Sequence, residues 1–501
     1  MKHLPLLFLI FIGYSYSYAQ TDERFGGIET LIEKVLKTTN TPGCAIAIVE
    51  GDRILYVNGF GYRDFENKLK VDSGTLFTIG STTKAFTAAL LGIYRDKGLL
   101  SFDESPIKYI ENLKFFNNEL KANLTIQDLL SMRTGLALHD KAWSGIPIED
   151  RKKLVQRIEF LEPINHLREK WNYSNWSYFI AGVLSENIMK QSWEKNIEEY
   201  LFKPLQMYRS NFGIQGLLNV PNTSLGYQVV GSKPEKVEYF DMKGMRPAGG
   251  INSNAIDMAN WLLAWVNQGK FKGRNILSEN YIKEAISPHA VMPMWYLPEE
   301  EFDGIFTVNY GYGWIITNYK GHYRVEHGGS IDGFRSTMAF FPNEKIGIVV
   351  LTNQVNYEAA FIIRNILADK LLKLNERKWL EEYQQKIDLI KKTDITSNNS
   401  INPDTKDMLV NFPYDITGKY LNGGYGEIEI FRQGKIYYTI FRNRKLRIIH
   451  KEKDIFHALR DESLGRMGMP ALHFKTGEDG LKKELFIQFE SELNPIQFVR
   501  Q

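Results

Sequence analysis

The sequence predicts an α+β protein: an antiparallel sheet flanked by helices with a helical subdomain, followed by a small C-terminal all-β barrel. Short β-rich runs near both ends of residues 25–372 enclose amphipathic helices, which predicts one sheet whose terminal segments pair. A polar stretch at 393–405, with Ser, Asn and Pro, has the composition of a linker. After it, short alternating runs are separated by glycines and charged turns, which is typical of a barrel.

Composition places the chain among folded globular proteins. Of 501 residues, 43% are hydrophobic, 24% charged and 13% aromatic, which excludes a disordered, collagenous or coiled-coil chain. Because 62 Lys and Arg residues face 59 Asp and Glu residues, the net charge of +3 is too small for the basic field that phosphate-backbone binding needs. We therefore expect no nucleic-acid partner.

Cysteine and histidine usage argues against a metal site. Cys44 is the only cysteine, so no intramolecular disulfide and no cysteine-based cluster can form. It lies in the apolar run 44–49, which predicts a buried and inert strand thiol. The histidines show neither HExxH nor His-x-His spacing, so a metal hydrolase has no ligand set. We expect neither a metal nor another cofactor.

The N-terminus has the pattern of a signal peptide. Lys2 and His3 form a basic start, residues 4–12 are apolar, and Ser17-Tyr18-Ala19 supplies small residues for a signal peptidase. We expect cleavage after Ala19, which removes residues 1–19. The alternative is an uncleaved anchor, but nine apolar residues cannot cross a ~30 Å hydrocarbon core. The protein is therefore expected to be exported, periplasmic or secreted, with no membrane span after cleavage.

The large domain is expected to occupy residues 20–375. Apolar periodicity predicts a helix at its start, and the alternation that follows predicts a hairpin. Three strands and a helix are predicted near its end. The predicted segments are helices 27–38 and 357–372, hairpin strands 44–49 and 54–57, and strands 323–326, 337–341 and 346–351.

Two segments are expected after the large domain. Residues 376–411 combine a charged helical pattern with the polar linker, and residues 412–501 are expected to form the barrel. Its alternating runs predict strands at 427–430, 435–441 and 485–489.

Three Ser-x-x-Lys sequences occur, about the number that chance produces, so context has to separate them. Ser105 precedes a proline and Ser192 opens a polar helix, and both have the pattern of helix N-caps. Ser81 instead follows the strand-like segment 76–79 and a glycine, and it leads into the apolar helix 85–94.

Ser81 and Lys84 form a candidate nucleophile and base. Residues i and i+3 share a helix face, so the Lys84 amine can reach the Ser81 hydroxyl. Apolar surroundings lower the pKa of a lysine and make its neutral amine available as a base. Backbone N–H groups at a helix N-terminus can stabilise an oxyanion. The alternative is another helix cap with a solvated lysine.

Tyr173-Ser174-Asn175 is one of three Tyr-x-Asn sequences. The sequences that begin at Tyr56 and Tyr420 fall in predicted strand or barrel regions and are interpreted as structural. Tyr173 lies between two tryptophans, before the helix predicted at 178–189, where a loop could present its phenol to a pocket. The alternative is a packed aromatic loop.

His327-Gly328-Gly329-Ser330 contains the only His-x-Gly in the chain and follows a predicted strand. Two glycines allow a substrate backbone to approach the strand closely, and the Ser330 N–H can point into a cleft. The alternative is a hairpin with a surface histidine.

In this order, the three motifs resemble those of the active site in the serine β-lactamase and penicillin-binding protein superfamily, class C-like branch. The resemblance covers about residues 25–372 and implies the β-lactamase/transpeptidase-like fold. The C-terminal piece, with Ile416-Thr417-Gly418-Lys419-Tyr420 and Tyr425-Gly426, resembles the lipocalin-like accessory barrel of this family. Supporting stretches are Leu129–Leu136, Lys203–Met207 and Pro247–Ser253.

The resemblance implies roles for the matched side chains. Ser81 would be the nucleophile that forms an acyl-enzyme. Lys84 and Tyr173 would share the general-base role, with coupled pKa values. Asn175 would orient Lys84 and the substrate amide, and His327 would hold Tyr173 or the polar end of the substrate.

The resemblance also implies roles for the backbone. The N–H groups of Ser81 and Ser330 would form the oxyanion hole. Gly328 and Gly329 would bind the substrate along the strand.

One departure from the family pattern bears on the substrate. Efficient class C β-lactamases usually carry lysine in the third motif, where a permanent cation attracts a carboxylate, whereas His327 is largely neutral at pH 7. Histidine there is more typical of esterases, D-amino-acid peptidases or amidases. The resemblance thus implies an exported serine hydrolase for small esters or D-amino-acid-containing peptides, including peptidoglycan fragments. The alternatives are a β-lactamase and a non-catalytic protein that binds peptidoglycan or a partner.

Overall fold

The computed structural model describes residues 22–297, 299, 304–356, 358–394, 415–461, 466–476 and 482–501. The predicted signal peptide at 1–19 and residues 395–405 of the predicted polar linker lie outside the described residues. The expected domain boundaries stay predictions.

Several helices begin at side-chain caps. Ser105 Oγ accepts a hydrogen bond from the Ile107 N–H at 3.4 Å, and Ser192 Oγ accepts one from the Lys195 N–H at 3.3 Å. Both serines therefore cap helical turns, as their context predicts. The helices are α1 (Ile28–Thr38), α2 (Thr83–Asp96), α3 (Asn118–Asn123), α4 (Ile126–Leu130), α5 (Asp140–Ser144), α6 (Arg151–Arg157), α7 (Asn175–Met189), α8 (Trp193–Ile197), α9 (Gly213–Leu218), α10 (Ala255–Val266), α11 (Glu279–Ala285), α12 (Glu358–Leu371) and α13 (Trp379–Asp394).

The strands fall into two groups along the chain. The first group belongs to the large domain and the second to the barrel. In chain order they are β1 (Gly43–Glu50), β2 (Arg53–Asp64), β3 (Leu69–Lys70), β4 (Phe77–Thr78), β5 (Asn211–Phe212), β6 (Tyr227–Val230), β7 (Lys233–Lys236), β8 (Ile251–Ser253), β9 (Lys270–Phe271), β10 (Arg274–Asn275), β11 (Ala290–Met292), β12 (Val308–Tyr310), β13 (Ile315–Tyr319), β14 (His322–Ile331), β15 (Phe334–Phe341), β16 (Ile346–Thr352), β17 (Gly418–Asn422), β18 (Gly426–Gln433), β19 (Ile436–Phe441), β20 (Arg444–Glu452), β21 (Ile455–Asp461), β22 (Arg466–Met467), β23 (Leu472–Thr476), β24 (Lys482–Ile487) and β25 (Ile496–Arg500).

One antiparallel sheet forms the centre of the large domain. Its order over the described ranges is β11-β12-β13-β14-β15-β16-β1-β2-β3. β1 pairs with β16, with Cys44 opposite Thr352 and Glu50 opposite Ile346. The two ends of the domain therefore meet in the sheet, as the β-rich runs predict.

Helices cover both faces of this sheet, because β1 is apolar on both faces. Ala45, Ala47 and Val49 belong to the larger core with α2 and α10, whereas Cys44, Ile46 and Ile48 pack on α1 and α12. A strand that is buried on both faces has a continuous apolar sequence rather than an alternating one. The sheet therefore anchors α2, which carries the first sequence motif, in the interior.

The C-terminal strands form a closed barrel. Their order is β20-β19-β18-β17-β25-β24-β23-β21, with β22 attached to β21, and an additional β20–β21 pairing closes the ring. In this part of the described chain the barrel thus has eight strands, and the predicted all-β barrel is confirmed.

The barrel packs against the large domain beside α5. The Arg442 N–H donates to the Gly145 carbonyl at 2.8 Å, and a Cβ at Gly145 would lie 2.6 Å from the Phe441 ring. An ion pair of 2.6 Å joins Arg444 to Glu238. The segment that contains α5 therefore lies between the barrel and the rest of the large domain.

Two predicted boundaries differ from the structure near the sequence motifs. β14 continues through His327 to Ile331, because Gly328 and Gly329 still pair with Thr337 and Ser336 of β15. α7 begins at Asn175 rather than at residue 178, because Ser174 is its N-cap. In the ranges that the structure describes, no helix is long and apolar enough to cross a lipid bilayer.

Candidate active site

Ser81 lies in a short 3-10 turn, Gly80–Thr82, that leads directly into α2. Gly80 has a φ of 51°, and a Cβ there would lie 2.7 Å from the Ser330 backbone nitrogen. A side chain at Gly80 would therefore be strained and would also collide with β14. The glycine allows this turn to touch the strand that carries the third motif.

Lys84 is fully buried in the first turn of α2, and its amine contacts three oxygen atoms. Nζ lies 3.1 Å from Ser81 Oγ, 2.7 Å from Asn175 Oδ1 and 2.7 Å from the Ala248 carbonyl oxygen. Burial lowers the pKa of Lys84 to about 7, and the negative charge of Asp140 opposes this shift. A large fraction of the lysine is therefore neutral at neutral pH.

The partners of Lys84 also set the direction of its lone pair. The amide oxygen of Asn175 and the carbonyl of Ala248 can only accept hydrogen bonds, so they take the two N–H groups of a neutral amine. The lone pair then faces the Ser81 hydroxyl. This arrangement can accept the serine proton.

Tyr173, in the second motif, contacts the same serine. Its hydroxyl donates a hydrogen bond to Ser81 Oγ at 2.7 Å. The ring stacks on Tyr296 at 5.9 Å and meets the edge of Trp171 at 6.1 Å. Burial raises the pKa of Tyr173 well above its usual value, so the phenol stays protonated at neutral pH. In this state it is a proton donor to Ser81.

Asn175, the first residue of α7, links Lys84 to Asp140. Its Oδ1 accepts from Lys84, and its Nδ2 donates to Asp140 Oδ1 at 2.9 Å. The expectation that Asn175 orients Lys84 agrees with this contact. The expectation that it also orients the substrate amide stays a prediction, because Asp140 accepts from Nδ2 through one hydrogen bond and the NH2 group has two N–H donors.

The third motif lies on an edge of β14 that β13 leaves uncovered. Pairing with β13 ends where Ile315 meets Glu326, so the far part of β14 projects beyond it. Gly328 and Ser330 are exposed there. A Cβ at Gly329 would lie 1.9 Å from the Ile79 carbonyl oxygen, which explains why this position is glycine.

His327 forms no hydrogen bond with Tyr173, one of the two partners that the resemblance implies for it, and the other, the polar end of the substrate, stays a prediction. Its Nδ1–H donates to the Gly328 carbonyl at 2.6 Å, and its Nε2 accepts from the Tyr310 hydroxyl at 3.2 Å. The expected contact with Tyr173 is replaced by Tyr310, because β12 lies within reach beyond the end of β13. Burial lowers the pKa of His327 to about 3, so the ring is neutral.

A cavity of about 430 Å³ adjoins these residues. Tyr296 lines it on one side, His327 and Gly328 line it on another, and the Arg335 and Arg364 side chains also contribute to its wall. Its position beside β14 gives it access to the exposed edge of the third motif. Ser81, Lys84 and Tyr173 do not line it, so the cavity lies beside the reactive side chains rather than around them.

The structure adds three contributors that the sequence interpretation missed: Asp140, Tyr310 and the Ala248 carbonyl. Asp140 lies four residues after the family-like stretch that ends at Leu136, whereas Ala248 lies inside another such stretch. Only Ala248 therefore falls within a segment that the resemblance singles out. Tyr310 has no comparable signal in the sequence.

The described residues contain no group of three or more His, Cys, Asp or Glu side chains arranged to hold a metal ion. Cys44, outside this site, is buried, and burial raises the pKa of its thiol well above the usual range.

Comparison with known proteins gives several similarities. Protein flp of Staphylococcus aureus (strain MW2) is 27% identical over 333 residues, which cover 65% of this chain and 62% of that protein. The chain thus matches less than two thirds of the length of that relative. The protein described as Unguisins hydrolase ungD, from Aspergillus violaceofuscus, is 25% identical over 452 residues, covering 83% of this chain and 78% of that protein.

A solved structure shares the fold. The octameric penicillin-binding protein homologue from Pyrococcus abyssi has a TM-score of 0.63 at 23% identity, and the match covers 95% of this chain and 99% of that chain. The family model described as Beta-lactamase matches residues 28–373, a range that contains all three sequence motifs. The chain therefore belongs to the beta-lactamase family.

Proposed function

We propose that this protein is an exported serine hydrolase that acts through an acyl-serine on small esters or on D-amino-acid-containing peptides and amides. One observation carries the proposal: Ser81 Oγ lies 2.7 Å from the Tyr173 hydroxyl and 3.1 Å from the amine of a buried lysine whose pKa is lowered to about 7. A serine between a proton acceptor and a proton donor is the arrangement of an activated nucleophile.

The proposed reaction begins with attack of Ser81 Oγ on the substrate carbonyl carbon. The serine proton moves to Lys84 Nζ, and the backbone N–H groups of Ser81 and Ser330 stabilise the oxyanion. The bond to the leaving alcohol or amine breaks, and the leaving group takes a proton from the Lys84 and Tyr173 pair. Water then attacks the acyl-serine and gives a proton to Lys84, the ester bond to Ser81 Oγ breaks, and the carboxylic acid leaves as Lys84 returns the proton to Ser81.

The identity of the third motif favours esters, peptides or amides over β-lactams. His327 is buried and neutral, so it supplies no permanent cation for the carboxylate of a β-lactam. A β-lactamase therefore remains the second enzymatic candidate, with penicillin turnover as its test. A non-catalytic binding protein is the third candidate, and the lowered pKa of Lys84 argues against it.

The test is mass spectrometry of the purified protein after incubation with a fluorophosphonate and, separately, with a penicillin. We expect a covalent adduct on Ser81 and none in the Ser81→Ala variant. A faster reaction with the fluorophosphonate supports the esterase assignment, and a stable penicilloyl adduct supports cell-wall peptides. No adduct from either reagent on folded protein contradicts the proposal and favours a binding function.

Export is a separate part of the proposal and rests on residues 1–19. Its measurement is the intact mass of the protein isolated from the producing cell. We expect the mass of a chain that begins after Ala19, and retention of residues 1–19 would contradict export by cleavage.

A further inference from the structure

Asp140 is connected to the catalytic lysine of the proposed mechanism through the Asn175 side chain. Its Oδ1 accepts hydrogen bonds from Asn175 Nδ2 at 2.9 Å and from Trp143 Nε1 at 3.0 Å. Asn175 in turn presents Oδ1 to Lys84 at 2.7 Å. A continuous hydrogen-bonded path therefore leads from Asp140 through Asn175 to the amine of Lys84.

Asp140 decides which end of the Asn175 amide faces Lys84. A carboxylate can only accept hydrogen bonds, so it attracts the NH2 end of the amide and leaves the oxygen for the lysine. In the opposite orientation, NH2 would face the lysine amine and the amide oxygen would face the carboxylate. Without the carboxylate, the N–H groups of Lys84 alone favour this orientation of the amide.

The residue before Asp140 is held in an uncommon conformation. His139 has a φ of 45° and a ψ of 34°, in the left-handed region that few non-glycine residues adopt. Its Nε2–H donates to the Glu162 carbonyl at 2.8 Å, and its Nδ1 therefore accepts from the Tyr425 hydroxyl at 2.8 Å. Its carbonyl accepts from Trp176 Nε1 at 3.2 Å.

Two residues of the barrel contact the segment His139–Asp140. Tyr425 lies between β17 and β18, and Glu490 follows β24. Glu490 Oε1 accepts a hydrogen bond of 3.0 Å from the Asp140 backbone N–H. The Tyr425 ring stacks on Phe489, the neighbour of Glu490, at 5.3 Å with an angle of 4° between the rings. The barrel thus holds both His139 and Asp140.

We propose that Asp140 is a positioning residue for Lys84, and that the barrel holds Asp140 in place through Tyr425 and Glu490. This inference rests on the proposed function, in which Lys84 accepts the proton of Ser81. It assigns to the barrel a part in setting the geometry of the catalytic lysine, in addition to any role in binding.

The charges around Asp140 determine how the site responds to pH. The titratable groups that face it are Lys84, Lys141, Tyr173, Tyr425 and Glu490. Burial raises the pKa values of both tyrosines and of Glu490, so the tyrosines stay neutral at neutral pH. Burial lowers the pKa of Lys84, and the charge of Asp140 acts in the opposite direction.

Two substitutions at Asp140 separate its charge from its hydrogen bond. Asp140→Asn keeps an oxygen that can accept from Asn175 Nδ2 and Trp143 Nε1 but removes the charge. Asp140→Ala removes both. The readout is the rate of fluorophosphonate labelling of Ser81 as a function of pH, measured on full-length protein whose folding is checked by circular dichroism.

Labelling of Ser81 should slow as the pH falls, and we call this part of the pH profile the acid limb. We expect Asp140→Asn to move the acid limb to lower pH, because removing the anion lowers the pKa of Lys84. We expect it to keep more of the maximal rate than Asp140→Ala, which should lose between about 10- and 100-fold. A purely structural role would lower the melting temperature without moving the limb. Wild-type rates and an unmoved limb in both folded variants would overturn the inference.

The barrel contact has its own matched pair of variants. Tyr425→Phe removes the hydroxyl that binds His139, whereas Tyr420→Phe removes a buried barrel hydroxyl that binds only the Ile416 carbonyl at 3.0 Å. We expect Tyr425→Phe to slow labelling of Ser81 several-fold and Tyr420→Phe to leave the rate unchanged. Equal rates for the two variants would contradict the part assigned to the barrel.

The same experiment distinguishes failure of this inference from failure of the proposed function. If the wild type is labelled at Ser81 and the Asp140 variants match it, only the inference is wrong. If the folded wild type is not labelled at Ser81, both the proposed function and the inference are wrong.

Discussion

The amine of Lys84 lies 3.1 Å from the hydroxyl of Ser81, across the junction between a 3-10 turn and the start of α2. Lys84 is fully buried, because α2 is packed between the central sheet and the helical region. The same packing that holds the lysine near the serine also removes it from water. The short distance between Lys84 and Ser81 and the lowered pKa of Lys84 therefore have the same structural cause.

Ser81→Ala is expected to abolish hydrolysis and fluorophosphonate labelling while leaving the fold intact. The substitution removes one hydroxyl from a partly exposed turn and creates no large cavity. Activity and labelling are measured beside the thermal melting curve. Residual hydrolysis at the wild-type rate would show that another residue is the nucleophile.

Ser105→Ala and Ser192→Ala are matched controls for this serine, because each also belongs to a Ser-x-x-Lys sequence. Both serines cap helical turns, so each substitution should cost about 1 kcal/mol of unfolding free energy. Urea denaturation measures this cost, and labelling of Ser81 should continue at the wild-type rate. Loss of labelling in either control would contradict the choice of Ser81.

Hydrolysis should decline as the pH falls through about 7. Burial lowers the pKa of Lys84 to about 7, so below that pH the amine binds a proton and can no longer accept one from Ser81. Below the midpoint the rate should fall about tenfold per pH unit. The pH dependence of labelling under conditions of excess protein measures this midpoint.

Tyr173→Phe is the control for the assignment of that midpoint. The pKa of Tyr173 is raised by burial, so its removal changes no charge near pH 7. We expect a lower maximal rate with the midpoint unchanged. His327, with its pKa lowered to about 3, does not titrate in this range either. A midpoint near pH 4 would indicate a carboxylate base instead of Lys84.

Gly329→Ala is expected to destabilise the protein and to slow labelling of Ser81. The new Cβ would lie 1.9 Å from the Ile79 carbonyl oxygen, so β14 and the turn before Ser81 must separate. Overpacking of this kind costs about 1–3 kcal/mol. Gly328→Ala is the matched control for stability, because its Cβ would lie 3.5 Å from the Ser336 carbonyl oxygen. Equal urea midpoints for the two variants would contradict the proposed close approach.

Cys44 is expected to resist iodoacetamide in the native protein. Its side chain is inaccessible in β1, and burial raises the pKa of its thiol, so little thiolate is available. Mass spectrometry should detect an adduct only after denaturation. Because β1 pairs with both β2 and β16, labelling should follow global unfolding. Rapid native labelling would show that this part of the sheet opens locally.

The three sequence motifs were recognisable because each holds its reactive groups within four consecutive residues. The Ser81 to Lys84 spacing predicts that the two side chains can meet, and Lys84 Nζ lies 3.1 Å from Ser81 Oγ. The strands β1 and β16 were predictable for a similar reason, since their apolar runs are local patterns. The pairing of β1 with β16 was expected because the β-rich runs lie near both ends of the domain and a strand needs hydrogen-bonded neighbours in a sheet.

The partners of the site residues were not predictable in the same way. Asp140 and Asn175 are 35 residues apart in sequence, and Asp140 and Glu490 are 350 apart. His327 binds Tyr310 because β12, β13 and β14 lie side by side and β13 ends before His327. The residues around His327 in the sequence do not indicate where the adjacent strand of the sheet ends.

The sequence by itself determined the reactive groups, the order of the motifs, the central strands and the presence of a C-terminal barrel. The tertiary structure alone decided that Asn175 faces Asp140, that Tyr310 engages His327 and that the barrel holds the segment before α5. The physical reason is that a residue type carries its own donors, acceptors and charge. Which donor meets which acceptor depends on strand register and on packing between segments that are distant in the chain.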